Sequence, residues 1–156
     1  MKKVVWSLLA GLIVLAAAGA GYGGNGSTSV NLQVTVVPRF SYVVSGEPAT
    51  LTITEADAAS GAKTVARGAV VSVDTNVPNG FILGVQAIKS GVFTSVRVQV
   101  KGGPSFEVPR AGYREVHLPF TGANPEVKEL DFHFVLSPGV LPGPYPWPLA
   151  VSAHPV

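Results

Sequence analysis

The sequence predicts an all-β protein in which short antiparallel strands pack face to face as a sandwich. Apolar and polar residues alternate over several short segments, the pattern of strands with one buried and one exposed face. Glycine and proline, 18 and 13 of the 156 residues, recur between these segments and mark turns. Residues 55–63 alone favour a helix, and this segment is too short to be stable by itself, so at most one helical turn is expected.

The chain begins with the features of a secretory leader. Lys2 and Lys3 precede an uncharged apolar run over residues 4–18, and Ala18-Gly19-Ala20 supplies the small residues of a cleavage site. We therefore expect a signal peptide over residues 1–20. The alternative is an uncleaved membrane anchor, for which the apolar run is at the short limit. Residues 21–29 are predicted to be a glycine-rich flexible linker, and residues 30–156 a single β-sandwich domain.

Charge and cysteine content exclude several classes of function. The chain has 11 Lys and Arg against 9 Asp and Glu, and Lys2 and Lys3 account for the difference, so the exported chain is formally neutral. A neutral chain without a basic cluster is a poor nucleic-acid binder. It contains no cysteine, so its stability must come from an apolar core. We expect a secreted protein of the cell surface or periplasm that touches a membrane only through its leader during export.

The first alternating segment covers residues 30–37 and follows directly on the linker. Its apolar members are Val30, Leu32, Val34 and Val36. Two placements are open for this predicted strand. It pairs within its own chain, as sequential elements usually do, or it is carried on the flexible linker and completes the sheet of a neighbouring molecule.

The next five extended segments cover residues 39–44, 49–54, 65–74, 80–88 and 93–101. Leu51 and Ile53 are predicted to face the core. Pro78-Asn79-Gly80 supplies turn residues between the third and fourth segments, which we expect to pair as a hairpin. The fifth is the most clearly amphipathic, with valines on one face and Arg97 and Gln99 on the other.

Two shorter extended pieces follow, over residues 105–108 and 113–118, and two more predicted strands complete the chain, over residues 130–136 and 144–153. Phe132 and Phe134 are expected to lie in the core. Prolines alternate in the last segment and remove backbone donors from one side, which predicts an edge strand. Eight or nine short strands joined by turns indicate an antiparallel β-sandwich of immunoglobulin-like design.

Two acid-x-His pairs supply metal-ligating residue types. They are Glu115 with His117 and Asp131 with His133, each on one face of a predicted strand. If the two strands pair, these side chains form a set that suits Zn or Cu. The simpler interpretation is polar residues on exposed strand faces, because this spacing matches no established metal motif. No metal or other cofactor is therefore expected.

Catalytic motifs are absent from the sequence. It contains no G-x-S-x-G elbow and no phosphate-binding loop. His154 is interpreted as a solvated tail residue, and Tyr145 and Trp147 as packing residues rather than a sugar-stacking surface. The expected function is therefore not enzymatic.

The end of the chain resembles secreted fimbrial-type β-sandwiches, including spore-coat-U-like and archaic chaperone–usher pilin subunits. The resemblance lies in Leu136-Ser137-Pro138-Gly139, followed by Pro142-Gly143-Pro144-Tyr145 and a terminal strand. It implies a structural subunit that assembles through added strands. The chain departs from the pattern in lacking a cysteine pair and in ending on Ala153-His154-Pro155-Val156.

Two functional hypotheses follow from these features. The first is a non-catalytic structural protein of the cell surface, a filament subunit that uses residues 30–37 as a donor strand. The second is an envelope or periplasmic module that binds a glycan, a metal or a protein through its loops or through the strand face bearing Glu115 and His117. The expected partner is accordingly a second copy or another envelope protein.

Overall fold

The computed structural model describes residues 33–156, which form ten strands and one short helix. Every strand pair is antiparallel, which confirms the predicted all-β class, and there are ten strands where eight or nine were expected. The elements are β1 Phe40–Ser45, β2 Thr50–Ile53, α1 Glu55–Ser60, β3 Ala62–Thr75, β4 Phe81–Ala87, β5 Phe93–Val100, β6 Ser105–Pro109, β7 Tyr113–Leu118, β8 Glu126–Leu136, β9 Gly143–Pro146 and β10 Leu149–Pro155.

The strands form three sheets around one core. The largest has the order β1-β3-β8-β5-β6, the second β10-β4-β7, and the third pairs β2 with β9. Buried side chains from all three sheets belong to a single hydrophobic cluster, including Leu51 and Ile53 as predicted. The compact unit spans Arg39–Val156. The predicted signal peptide, linker and domain start at residue 30 lie outside the described residues.

Aromatic rings of β8 occupy the centre of this core. Phe132 and Phe134 are almost completely buried, as predicted. The ring of Trp147, which precedes β10, lies edge-on to both, at centroid distances of 5.5 and 5.8 Å. Phe93 of β5 adds a third edge-on contact, 5.3 Å from Phe134. Edge-to-face pairs of this kind stabilise a core beyond the burial of their area.

A β-bulge in β3 accommodates the Phe132 ring. The register of β3 with β8 shifts between Val65 and Ala69. At the bulge Arg67 has a φ of 50°, and its N–H donates to Asp131 Oδ1 at 2.6 Å. A Cβ built on Gly68 would lie 2.7 Å from Phe132 Cδ2, closer than carbon atoms approach. Glycine is therefore required at this position so that the ring can pack against the backbone of β3.

The predicted hairpin of residues 65–74 and 80–88 is wrong. Both segments form strands, but β3 and β4 lie in different sheets. The cause lies at the start of the connection, where Asn76 donates its N–H to Arg39 O and accepts from Arg39 N–H through its side chain, at 3.2 and 2.6 Å. These bonds extend the β1–β3 ladder past Thr75. The turn at Pro78 then directs the chain to the other sheet instead of back along β3.

The predicted last strand, residues 144–153, is divided into two. β9 pairs with β2 and β10 with β4, and Trp147-Pro148 separates them. The single-strand prediction failed because the Trp147 ring packs into the aromatic core, so the chain leaves the line of β9 there. The predicted edge position is confirmed, since β9 and β10 both lie at sheet edges.

The predicted strand over residues 30–37 is not formed within residues 33–37 of the chain itself, and its pairing with a second molecule stays a prediction. None of residues 33–37 is in a strand, and Val34 and Val36 are 73% and 69% exposed. Val30 and Leu32 lie outside the described residues. Alternation therefore identified an amphipathic segment but not a partner strand for it.

Within residues 33–156, no helix combines the length and the apolar character that crossing a membrane requires.

A buried carboxylate closes one end of the core. Glu126 begins β8 and is only 2% exposed. Its Oε1 lies 2.7 Å from Lys128 Nζ, and its Oε2 accepts from Thr121 N–H at 3.1 Å. Burial opposes ionisation of Glu126, but the hydrogen bonds from Lys128 and Thr121 outweigh it and hold the pKa of this carboxyl below its ordinary value.

We expect Gly68→Ala to lower the free energy of unfolding by about 2 kcal/mol, because the added methyl overlaps the Phe132 ring. Urea unfolding measures the change. Gly91→Ala is the matched control, since a Cβ there meets nothing within 4 Å. Equal stability of the two variants would contradict a packing constraint at Gly68.

We expect Glu126→Ala to cost about 3 kcal/mol, because it leaves Lys128 half-buried without its counter-charge. The double variant Glu126→Met, Lys128→Met should recover most of that loss in thermal unfolding, since no charge then remains unpaired. A double variant as unstable as the single one would show that the ion pair itself, rather than the orphaned lysine, determines the loss.

Candidate functional site

The exposed face of the β10-β4-β7 sheet carries a small polar cluster. Cross-strand pairing aligns Ser152, Gly84 and Glu115 in one row, with Tyr113 next to them on β7. A Cβ built on Gly84 would lie 2.4 Å from Tyr113 Oη and 2.8 Å from Ser152 Oγ. The missing side chain on the central strand thus provides the space in which side chains from the two edge strands meet.

Glu115 is the centre of this cluster. Its Oε1 accepts from Tyr113 Oη at 2.6 Å and lies 3.0 Å from His154 Nε2. The interpretation of His154 as a solvated tail residue is wrong, because β10 continues to Pro155 and places the imidazole opposite β7. The cluster joins the two edge strands across β4.

The cluster lowers the pKa of Glu115 and raises the pKa values of His154 and Tyr113. The hydrogen bond from Tyr113, with that from His154, holds the pKa of Glu115 below its ordinary value. The hydrogen bond to Glu115 raises the pKa of His154, against a smaller opposing effect of desolvation. The pKa of Tyr113 is raised, first by its hydrogen bond to Glu115. The imidazolium and the carboxylate therefore favour each other's charged forms.

The geometry of the cluster favours a cross-link over a catalytic centre. His154 Nε2 is directed at Glu115, and Nδ1 lies 3.3 Å from Pro155 O. Ser152 hydrogen-bonds to Tyr113. A nucleophilic serine needs a base within hydrogen-bond reach, and both imidazole nitrogens already face other groups.

The candidate metal ligands Glu115, His117, Asp131 and His133 do not come together as one set. The set required β7 and β8 to pair, but these strands lie in different sheets. His117 Nε2 lies 2.7 Å from Asn79 O, Asp131 accepts from the bulge at Arg67, and His133 Nδ1 lies 3.0 Å from Thr64 Oγ1. Among residues 33–156 no three His, Asp or Glu side chains are grouped closely enough to hold a metal ion.

A second polar surface lies on the outer face of the five-stranded sheet. It is a groove of about 490 Å³, hereafter the polar groove. The groove is lined by Ala62, Lys63, Thr64, Ser95, Arg97, Gln99, Ser105, Glu107, His133, Phe134 and Val135. Alternation along the sequence predicts Arg97, Gln99 and His133 as outward-facing residues. It did not find the groove, because the pairing of β8 with both β3 and β5 joins segments far apart in the chain.

Comparison with known proteins adds no relative of established function. No family model matches the chain, no curated protein matches it, and no solved structure matches it.

We expect the His154 imidazole to titrate above its ordinary value of 6.5, and Glu115→Gln to remove most of that rise. NMR titration of the ring protons measures both. The cross-link should stabilise the fold most between pH 4.5 and 6.5. Its contribution falls as pH rises through the raised pKa of His154, and also as pH falls through the lowered pKa of Glu115.

Glu107→Gln is the matched control for this titration, because it makes the same chemical change on the other sheet. It should leave the His154 midpoint where it is in the unmodified protein. A midpoint that moves equally in both variants would point to general charge effects in place of the Glu115 contact.

Proposed function

We propose that this protein is an exported, non-catalytic structural protein of the cell surface whose residues 30–37 add a strand to the sheet of a neighbouring copy. The observation that carries the proposal is the exposure of Val34 and Val36, alternate apolar residues in a segment that forms no strand. Apolar residues at alternate positions fit a strand with one buried face. A second molecule can supply the surface against which this face is buried, with no change in the strands of the sandwich.

The edge strand β1 is the acceptor that fits this segment best. Phe40, Tyr42 and Val44 face the core side of the sheet, because they pair with Thr75, Val73 and Val71. Yet Tyr42 remains 42% exposed, whereas Val73 beside it is fully buried. The core is therefore incompletely covered along β1, and the outer edge of β1 has no neighbour in the sheet order.

Two other edge strands, β6 and β9, are less suitable acceptors. On β6 the core-side residue Val108 is fully buried, so little apolar surface remains to be covered. On β9, Pro144 and Pro146 lack the N–H groups that an added strand would pair with. An added strand needs both backbone partners and an apolar surface, and β1 offers both.

Pairing of the chain's own segment with β1 is disfavoured by the backbone at Arg39. A tight hairpin would use Pro38-Arg39 as its turn. Both backbone polar groups of Arg39 instead bond to Asn76, at 2.6 and 3.2 Å. Arg39 is thereby held as an extension of β1. This supports pairing between molecules over pairing within one.

Burial of four side chains such as Val30, Leu32, Val34 and Val36 is worth roughly 6–12 kcal/mol before the costs of association. This is comparable with the net stability of a whole domain. Assembly driven by this segment is therefore expected to be strong enough for a structural role.

We expect the chain from Gly21 onward to form multimers and Val34→Asp, Val36→Asp to abolish them, because charges would enter the buried face of the added strand. Light scattering after gel filtration, with electron microscopy of the particles, measures the change. Gln33→Asp, Thr35→Asp is the matched control. It adds the same charge to the opposite face and should keep the multimers.

A second experiment separates donor from acceptor. The chain from Arg39 onward, which contains the whole compact unit, should bind a peptide of residues 30–37. Tyr42→Asp on the acceptor should weaken that binding. A monomeric chain from Gly21 onward, or a folded acceptor that ignores the peptide, would refute strand addition.

A further inference from the structure

We propose that the polar groove binds a saccharide that carries a carboxylate, such as a uronic-acid oligomer. This binding is independent of strand addition, since the groove lies on the face of the five-stranded sheet and the proposed assembly uses the β1 edge. The groove is built from four neighbouring strands, β3, β8, β5 and β6.

Strand register places a row of chemically different groups across the groove. Thr64, His133, Arg97 and Glu107 are cross-strand neighbours in that order. The neighbours of Arg97 along β5, Val96 and Val98, are fully buried, so Arg97 and the row it belongs to must face outward. A ligand lying across the strands meets hydroxyl, imidazole, guanidinium and carboxylate groups in succession.

Arg97 is the anchor for an anionic group. Its guanidinium makes no hydrogen bond or ion pair with any residue from 33 to 156, although Glu107 is its direct cross-strand neighbour. The groove's other polar side chains are partly engaged: Lys63 pairs with Asp57 at 2.8 Å, and Gln99 donates to Val100 O and Gly103 O. A guanidinium binds a carboxylate through two parallel hydrogen bonds, so Arg97 has donors to offer.

The remaining lining selects for sugar hydroxyls. Glu107 accepts hydrogen bonds from hydroxyl groups, and Ser95 and Ser105 both donate and accept. Val135, which is 50% exposed, offers an apolar surface on which the C–H face of a sugar ring can rest. A ligand with one carboxylate and several hydroxyls therefore satisfies more of the groove than an anion without hydroxyls does.

The position of the groove disfavours two other ligand classes. An acidic peptide bound as an added strand needs free backbone groups at a sheet edge, and the central strands β8 and β5 are already paired on both sides. A nucleic acid needs several clustered cations, whereas Lys63 and Arg97 are the permanent cations of the lining and Glu107 opposes them.

The test is isothermal titration of the purified protein with a galacturonic-acid tetramer. We expect binding that Arg97→Ala weakens about tenfold or more, the cost of losing charge-assisted hydrogen bonds. Arg97→Lys should weaken it less, because the charge stays and the two-pronged geometry is lost. Arg114→Ala, on β7 of another sheet, is the matched control and should bind as the unmodified protein does.

Two further probes make the outcome decisive. The neutral galactose tetramer should bind at least about tenfold more weakly, since it offers Arg97 no charge. A glutamate tetrapeptide should also bind more weakly, since it lacks hydroxyls. Three results would each overturn the proposal. They are no binding of the uronate tetramer, binding of either other probe as tightly as the uronate, and uronate binding that Arg97→Ala leaves unchanged. Val34→Asp, Val36→Asp should leave uronate binding intact, which distinguishes failure here from failure of strand addition.

Discussion

The packing of the Phe132 ring between Gly68 and Trp147 is the constraint on which the rest of the fold depends. β8 is the central strand of the five-stranded sheet, and its ring reaches both its neighbour β3 and the segment that joins β9 to β10. The bulge in β3 exists where the ring lies against it. The division of the last strand exists where Trp147 turns inward to meet it. The buried ring of Phe132 thus contacts two segments outside β8, the bulge of β3 and the connection between β9 and β10.

Both polar surfaces follow from this core because a strand has two faces. Once valines and phenylalanines occupy the inner face, the alternate residues must lie outside. On β7 and β10 these are Glu115 and His154, which meet across Gly84. On β5 it is Arg97, which lies in the polar groove. The first surface is internally satisfied and holds strands together, whereas Arg97 retains unused donors, and this difference separates a structural cluster from a candidate binding site.

Local alternation predicted strands well and partners poorly. The segments at residues 93–101 and 130–136 were correctly oriented because burial of Val96 or Phe134 depends on residue parity alone. The hairpin between β3 and β4 was wrongly predicted because Pro78-Asn79-Gly80 reports a turn but not the sheet that the chain enters after it. The candidate acid-x-His metal set does not form for the same reason. Each pair lies on the exposed face of its strand, but the two strands are not neighbours.

The sequence by itself determined the all-β class, most strand positions, the inward set of side chains and the amphipathic character of residues 30–37, because period-two patterning and turn residues are local properties. Only the tertiary structure decided which strands pair, that His154 meets Glu115, and that Arg97 lies beside His133 and Glu107 in one groove. These contacts join residues far apart in the chain. They depend on which distant strands pair and in what register, and no short segment contains that information.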